Sequence, residues 1–88
     1  MKLYRVCTQN LNYPNILDYL DKHFPDGYTI INANGAWQGV REKSLVIEVV
    51  GNIDTHNDAV EKFGYWLKKY NSQQAVLVQV INVDNWLI

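Results

Sequence analysis

Four segments of the chain are rich in apolar, largely β-branched residues, and their arrangement of apolar and polar positions favours β-strands. They are residues 3–8, 28–33, 42–50 and 75–83. The last segment, AVLVQVINV, is long and β-branched, which favours a well buried place in a sheet. Between the second and third segments lies NGAWQGVR, whose two glycines suit a turn, so we expect a β-hairpin with a loop longer than the minimum.

Two further segments carry apolar residues at spacings of three and four, the period of an amphipathic α-helix. The first helix is predicted at about residues 15–23, and the Pro-Asp-Gly turn at residues 25–27 ends it. The second is expected to begin where Asp54 or Thr55 can cap a helix and to end before residues 71–72. Its apolar stripe consists of Val60, Phe63, Leu67 and Tyr70.

The order β-α-β-β-α-β predicts an α+β fold, a ferredoxin-like sandwich formed by a single domain of residues 1–88. Two right-handed crossovers place both helices on one face of a four-stranded antiparallel sheet. Because side chains alternate along a strand, the residues that face the helices can be assigned. They are Tyr4, Val6, Leu45, Ile47, Val49, Val76, Val78 and Val80.

The opposite face of the sheet is predicted to be apolar with a polar centre. In the ferredoxin-like order the first strand lies between the third and the last, which places Arg5 beside Glu48 with Gln79 near both. A charge-assisted hydrogen bond is expected between the two charged groups. The apolar part of this face consists of Leu3, Val46, Val50, Leu77 and Ile81.

An apolar patch of this kind, exposed to water, usually marks an interface. We therefore expect a homo-oligomer, with a face-to-face dimer as the first expectation, or another bound partner. The alternative is that the C-terminal tail, with Trp86 and Leu87, folds back over the sheet of its own chain. Exchange of this tail between two chains would satisfy both interpretations, so Trp86 is counted among the predicted interface residues.

Composition and charge narrow the function classes. The chain has 88 residues, of which 48% are hydrophobic and 19% charged, and its net charge is −1. Both signs are spread along the sequence without a basic stripe, which argues against nucleic acid as the primary ligand. The single Cys7 cannot form an internal disulfide, and the sequence has neither an apolar leader nor a span of membrane length. The expected location is therefore the cytoplasm, without a membrane partner.

Candidate catalytic and metal-binding groups are sparse. His23 and His56 lack the spacing of a zinc site, so neither a metal nor another cofactor is predicted. Cys7 has no triad-like motif around it, and on an apolar strand a cysteine behaves as a small hydrophobe. Glu42 and Glu48 share one face of a strand, but no histidine partner accompanies them. We therefore expect no catalytic residue and no enzyme activity.

The segment NGAWQGVR offers the clearest candidate ligand contacts, because Trp37 can stack on a planar ligand while Gln38 and Arg41 can form hydrogen bonds. The alternative is that Trp37 only caps one end of the core. The second helix adds an aromatic and cationic surface that could stack on a base or pack on a protein. It consists of Tyr65, Trp66, Lys69 and Tyr70, with Tyr70 expected in the core.

The stretch FPDGYTIINANGAWQGVREKSLVIEVVG at residues 24–51 contains the motifs G-x-W-x-G and E-x-S-L-x-I-E, and N-x-Q-x-A-V-L-V follows at residues 71–78. Together with Trp66-Leu67-Lys68, these motifs resemble those of a group of small bacterial and phage-encoded proteins. The resemblance covers most of the chain. It implies a phage or mobile-element origin and a bacterial host, and it carries over neither an established activity nor a catalytic residue.

These inferences predict a non-enzymatic, phage-type accessory protein that self-associates and binds a host protein or a small nucleotide-like molecule. Sequestration of a ligand or occlusion of a host effector, as counter-defence, is one concrete form of this function. Two alternatives stay open. One is a small enzyme with a pocket formed by Arg5, Glu48 and Gln79, and the other is a small-molecule sensor subunit whose ligand binds between protomers.

Overall fold

The chain forms four strands and two helices in a computed structural model that describes residues 1–88, apart from the side chain of Thr55. In chain order these are β1 (Lys2–Gln9), α1 (Tyr13–His23), β2 (Thr29–Trp37), β3 (Val40–Gly51), α2 (Ile53–Tyr70) and β4 (Leu77–Asn82). The strands make one antiparallel sheet in the order β2-β3-β1-β4, and both helices pack on one face of it. The predicted ferredoxin-like α+β fold is confirmed.

The core lies between the helices and the two central strands. Strand alternation turns Tyr4 and Val6 of β1 inward together with three residues of β3, and all of them are buried. This confirms the face predicted for these two strands. The buried apolar side chains are Tyr4, Val6, Ile16, Leu20, Phe24, Leu45, Ile47, Val49, Val60, Phe63 and Leu67.

Strand β4 is less buried than expected. It lies at one edge of the sheet with β1 as its sheet neighbour, and all of its residues are exposed. Val78 and Val80 are on the helix side but remain 37% and 47% exposed. Helix α2 approaches the start of this strand, where a Cβ built on Gly64 would lie 3.0 Å from Val78 Cγ2. The prediction of a well buried last strand was wrong because a β-rich composition does not distinguish an edge from a centre.

The β2–β3 hairpin has a tighter turn than predicted. Strand pairing continues to Trp37 opposite Val40, so most of the segment NGAWQGVR is strand. Gln38 and Gly39 alone form the turn, with φ values of 50° and 80°. Positive φ at both positions is the requirement of a type I′ turn, whose twist matches the strands that it joins. Gly35, predicted to belong to the loop, lies within β2.

The helices start earlier than the sequence suggested. Helix α1 begins at Tyr13, with Pro14 in its first turn, and ends at His23 as predicted. Helix α2 begins at Ile53, so Asp54 lies inside the first turn and does not precede the helix as a cap. The side chain of Thr55, the other predicted cap, lies outside the described part of the chain. Over the described residues, neither helix combines the length and the apolar composition needed to cross a bilayer.

Candidate functional site

The face of the sheet that points away from the helices, called the open face here, carries its side chains in rows across the strands. Strand register defines three rows that cross β3, β1 and β4, and the middle one is polar. The first row consists of Val50, Leu3 and Ile81, the second of Thr29, Glu48, Arg5 and Gln79, and the third of Ile31, Val46, Cys7 and Leu77. The predicted apolar face with a polar centre is therefore present.

An ion pair lies at the centre of this face. Arg5 Nε and Nη2 donate to Glu48 Oε2 at 3.1 and 3.0 Å, and Gln79 stands opposite Arg5 on the neighbouring strand. The pair is partly exposed, with 36% and 22% of the two side chains accessible to solvent. The three residues lie together as predicted, and the carboxylate is already engaged by the guanidinium.

The C-terminal tail leaves the open face uncovered. After β4, the backbone N–H of Val83 donates to the carbonyl oxygen of Met1 at 3.2 Å. Beyond that contact Trp86 is 77% exposed and Leu87 is 99% exposed. The alternative in which the tail folds over the sheet of its own chain is therefore wrong for the described structure. Apolar residues of the outer rows, among them Val50 and Leu77, remain about half exposed.

A groove with a volume of about 660 Å³ lies at the end of the open face and includes Cys7 and Leu77 of the third row. We call it the hairpin groove. Cys7, Gln9 and Ser44 form its floor, and the tip of the β2–β3 hairpin forms one wall. The other wall consists of residues 72–77, which comprise most of the connection from α2 to β4 and the first residue of β4. Trp37 of the hairpin tip is 49% exposed and borders the groove, so its ring does not cap the core.

The wall formed by residues 72–77 is anchored at its start by Asn71. This buried side chain donates to the carbonyl oxygen of Leu11 at 3.3 Å and accepts from Asn12 Nδ2 at 2.8 Å. Ser72 follows with a φ of 52°, in the left-handed region that often ends a helix. The chain therefore leaves α2 in a defined direction and runs along the end of β1.

Hydrogen bonds to and from glutamine side chains join the two walls and the floor. Trp37 Nε1 donates to Gln74 Oε1 at 2.8 Å, which links the hairpin tip to the opposite wall. Gln73 Nε2 donates to Thr8 Oγ1 at 2.7 Å, and Gln73 Oε1 accepts from the backbone N–H of Gln9 at 3.1 Å. Amide side chains carry both donors and acceptors, so the groove offers both kinds of partner to a ligand.

The charge of the groove comes from one carboxylate. Glu42 is half-buried and accepts a short hydrogen bond from Gln9 Nε2. The described residues that line the groove include no lysine, arginine or histidine. Arg41 and Lys43 flank Glu42 in β3, and strand alternation directs both to the other face of the sheet. There they border a second depression with Asn34, and this depression shares Gly35 and Glu42 with the groove.

The structure brings together only part of the predicted ligand site. Trp37 and Gln38 line the hairpin groove, whereas Arg41 lies on the opposite side of the hairpin. Arg5, Glu48 and Gln79 form their own cluster one row further along the sheet. Four groove residues with amide or carboxylate side chains were not predicted as ligand contacts, although two adjacent glutamines shortly after a helix were a visible signal. These four are Gln9, Glu42, Gln73 and Gln74.

The predicted aromatic surface is on the opposite side of the molecule and joins the two helices. Tyr19 stacks on Trp66 at 4.4 Å between ring centroids, and Trp66 stacks on Tyr70 at 4.9 Å. Tyr70 is 48% exposed, so its predicted core position was wrong. Burial raises the pKa of Tyr19. Within the described residues, no group of three His, Cys, Asp or Glu side chains could hold a metal ion.

Comparisons with known proteins bear on the fold. No family model and no curated protein sequence matches the chain. A protein from Thermus thermophilus, described as PII-like and signaling, is similar in structure, with a TM-score of 0.63, 20% identity and coverage of 93% of this chain and 84% of that chain. A second similar structure is CPII, a nitrogen regulatory PII-like protein from Thiomonas intermedia, bound to ADP, AMP and bicarbonate. Its TM-score is 0.61 at 17% identity, over 98% of this chain and 94% of that chain.

Proposed function

We propose that this protein is a non-enzymatic, self-associating sensor subunit that binds a small nucleotide-like ligand in the hairpin groove. The observation that carries the proposal is the groove itself, whose volume of about 660 Å³ is in the range of small-molecule sites. The similar protein from Thiomonas intermedia is bound to ADP and AMP, which supports a ligand that contains a nucleobase.

The groove has the groups that a planar ligand requires. Trp37 presents an aromatic ring at the rim, on which a base can stack. Gln9 and Gln74 supply amide groups, and Val40 and Leu77 supply apolar surface beside them. Directional hydrogen bonds combined with apolar walls are typical of sites that orient a small ligand.

The hydrogen bond between Trp37 and Gln74 couples ligand binding in the groove to the position of the hairpin tip at the surface of the molecule. A ligand that stacks on Trp37 or bonds to Gln74 acts on both walls at once, since these two side chains join the hairpin tip to residues 72–77. A ligand shifts a conformational equilibrium only if its affinity for the two states differs. The two states proposed here are the chain with and without this hydrogen bond, and they differ in the position of the exposed hairpin tip. A ligand that binds one of them more tightly shifts the equilibrium toward it.

Self-association is proposed through the open face. The outer rows expose apolar side chains, and the tail of the chain does not cover them. A second copy placed against this face would bury both apolar rows, with a dimer as the first expectation. The comparisons do not support a phage origin, a host-protein partner or a counter-defence role, and these stay predictions from the sequence.

The enzyme alternative has less support. It requires Glu48 to act on a substrate in a pocket with Arg5 and Gln79, but Glu48 already accepts both hydrogen bonds from Arg5. The groove that could hold a small molecule begins at the third row of the open face, and its lining does not include these three residues.

Alkylation of Cys7 tests the proposed ligand site. Cys7 is the only cysteine of the chain and lies on the floor of the groove. At a fixed protein concentration, any protection of Cys7 by a second copy is the same with and without ligand, so a change in the rate at which a maleimide labels it reports whether the groove is occupied. Nucleosides and nucleotides are added singly, and labelling is followed by intact mass. A ligand at about 100 times its dissociation constant should slow labelling up to about 100-fold and stabilise the fold by about 2.7 kcal/mol.

Two variants locate the binding. Trp37→Ala should weaken, by about tenfold, the binding of any compound that slows the labelling of Cys7, because stacking on one aromatic side chain contributes about 1–3 kcal/mol to the binding free energy. Tyr65→Ala is the matched control, since Tyr65 is an exposed aromatic residue on α2 and does not line the groove. The proposal fails if no compound slows the labelling of Cys7 or raises the melting temperature.

A further inference from the structure

We infer that the hairpin groove selects an uncharged nucleobase or nucleoside and discriminates against its phosphorylated forms. The inference rests on the proposed function, because it specifies the ligand of the same groove. Glu42 is the one side chain charged at neutral pH among the described residues that line the groove.

The nearby cations lie outside the lining of this groove. Arg41 and Lys43 are the sequence neighbours of Glu42, and strand alternation directs both to the other face of the sheet. Lys43 Nζ donates there to Asn34 Oδ1 at 3.4 Å. Arg5, on the open face, is bound to Glu48 through two hydrogen bonds.

A phosphate in the groove therefore meets repulsion without compensation. Phosphate sites ordinarily supply arginine, lysine or the N–H groups of a helix N-terminus. Here the wall that follows α2 begins at the C-terminal end of that helix, which is the negative end of its dipole. A phosphomonoester with about two negative charges, held within several ångströms of a half-buried carboxylate, should lose affinity on the order of tenfold.

The same carboxylate favours a ligand with N–H or O–H donors. Glu42 Oε2 accepts from Gln9 Nε2, and a carboxylate has about four lone-pair sites, so it can accept further hydrogen bonds. The exocyclic amine of adenine, guanine or cytosine, or a ribose hydroxyl, provides such donors. Gln74, on the opposite wall, carries an amide nitrogen that can donate to a ring nitrogen or carbonyl of the base.

Calorimetric titration of the full chain distinguishes the two kinds of ligand. The probes are adenosine, guanosine, cytidine and uridine, each paired with its 5′-monophosphate, and ADP. The best nucleoside should bind about tenfold more tightly than its own monophosphate at low salt. The ratio should fall as salt is raised, because salt screens the repulsion between the phosphate and Glu42.

Glu42→Gln removes the negative charge and keeps a side-chain oxygen that can accept from Gln9. This variant should bring nucleoside and monophosphate to within about threefold of each other, mainly by improving binding of the monophosphate. Glu61→Gln is the matched control: it makes the same change in net charge at an exposed position on α2 outside the groove, and should keep the tenfold ratio. If Glu42→Gln does not fold, the titrations of the unmodified chain at increasing salt concentration still test whether charge repulsion causes the preference.

The possible results separate this inference from the function on which it rests. A monophosphate that binds as tightly as its nucleoside, or more tightly, overturns the inference and leaves the proposed ligand site standing. A tenfold preference that persists in Glu42→Gln and at high salt also overturns it, because charge would not be the cause. If no probe binds at all, the proposed function itself fails.

Discussion

Arg5 and Glu48 pair across two strands in the middle of an otherwise apolar surface. Two nitrogen atoms of the Arg5 guanidinium donate to the same carboxylate oxygen of Glu48, at 3.1 and 3.0 Å. Because 36% of the Arg5 side chain is exposed, water screens the interaction, and its contribution to stability is modest. If a second copy covers this surface, burying the two charges as a pair costs less free energy than burying either charge alone.

Glu48→Gln should lower the free energy of unfolding by about 1 kcal/mol, because Arg5 keeps a neutral acceptor in place of a charged one. Urea unfolding followed by circular dichroism measures the change. Glu42→Gln is the comparison on the same strand: its carboxylate accepts from the neutral Gln9, so a smaller loss is expected. Equal losses in the two variants would show that the guanidinium adds nothing.

The turn of the β2–β3 hairpin holds two residues at positive φ. Gln38 occupies a left-handed conformation with a φ of 50°, which costs a residue with a Cβ more than it costs glycine or asparagine. The turn presents Trp37 to the groove directly before this residue. The precision with which the wall is placed therefore depends on two turn residues.

Gln38→Asn should stabilise the fold by about 0.5 kcal/mol, since Asn-Gly is the preferred pair for a type I′ turn. Gly39→Ala should destabilise it by about 1 kcal/mol, because its φ of 80° disfavours any side chain even though a Cβ there would meet no atom within 4 Å. Urea unfolding compares the variants with the unmodified chain. Opposite signs are required, and a neutral Gly39→Ala would contradict the assigned turn.

At the scale of the whole molecule, the fold covers only one face of its sheet. Both helices pack on the same side, and the C-terminal tail extends into solvent. A chain of 88 residues has a small core, so it gains more than a large protein from burying further apolar surface against a partner. Val50 and Ile81 flank Leu3 at the end of the open face away from the hairpin groove.

Val50→Glu should disrupt self-association, because it places a charge in the apolar row that a second copy would cover. Sedimentation at micromolar concentration should give the unmodified chain a mass that is a multiple of 10.2 kDa, and the variant a mass close to that of one chain. Tyr65→Glu introduces the same charge at an exposed position on α2 and should leave the mass unchanged. A single-chain mass for the unmodified protein would refute assembly through the open face.

Local periodicity determined the architecture of this protein. Spacings of two, and of three and four, defined which residues form strands and helices, and each period also assigned a side chain to one face of its element. Together with the right-handed crossover rule, this was sufficient to place Arg5 beside Glu48, because both the alternation and the strand order are general. The early start of α2 and the tight turn were missed, since caps and turn types depend on single residues with weaker signals.

The hairpin groove was decided by tertiary structure alone. Gln9, Glu42 and Gln74 come from three separate parts of the chain, and no sequence period relates them. They meet because strand register sets how far the hairpin extends past the end of β1 and because Asn71 directs the chain as it leaves α2. The edge position of β4 and the exposed tail likewise depend on which surfaces the rest of the fold leaves uncovered, a property that local patterns do not encode.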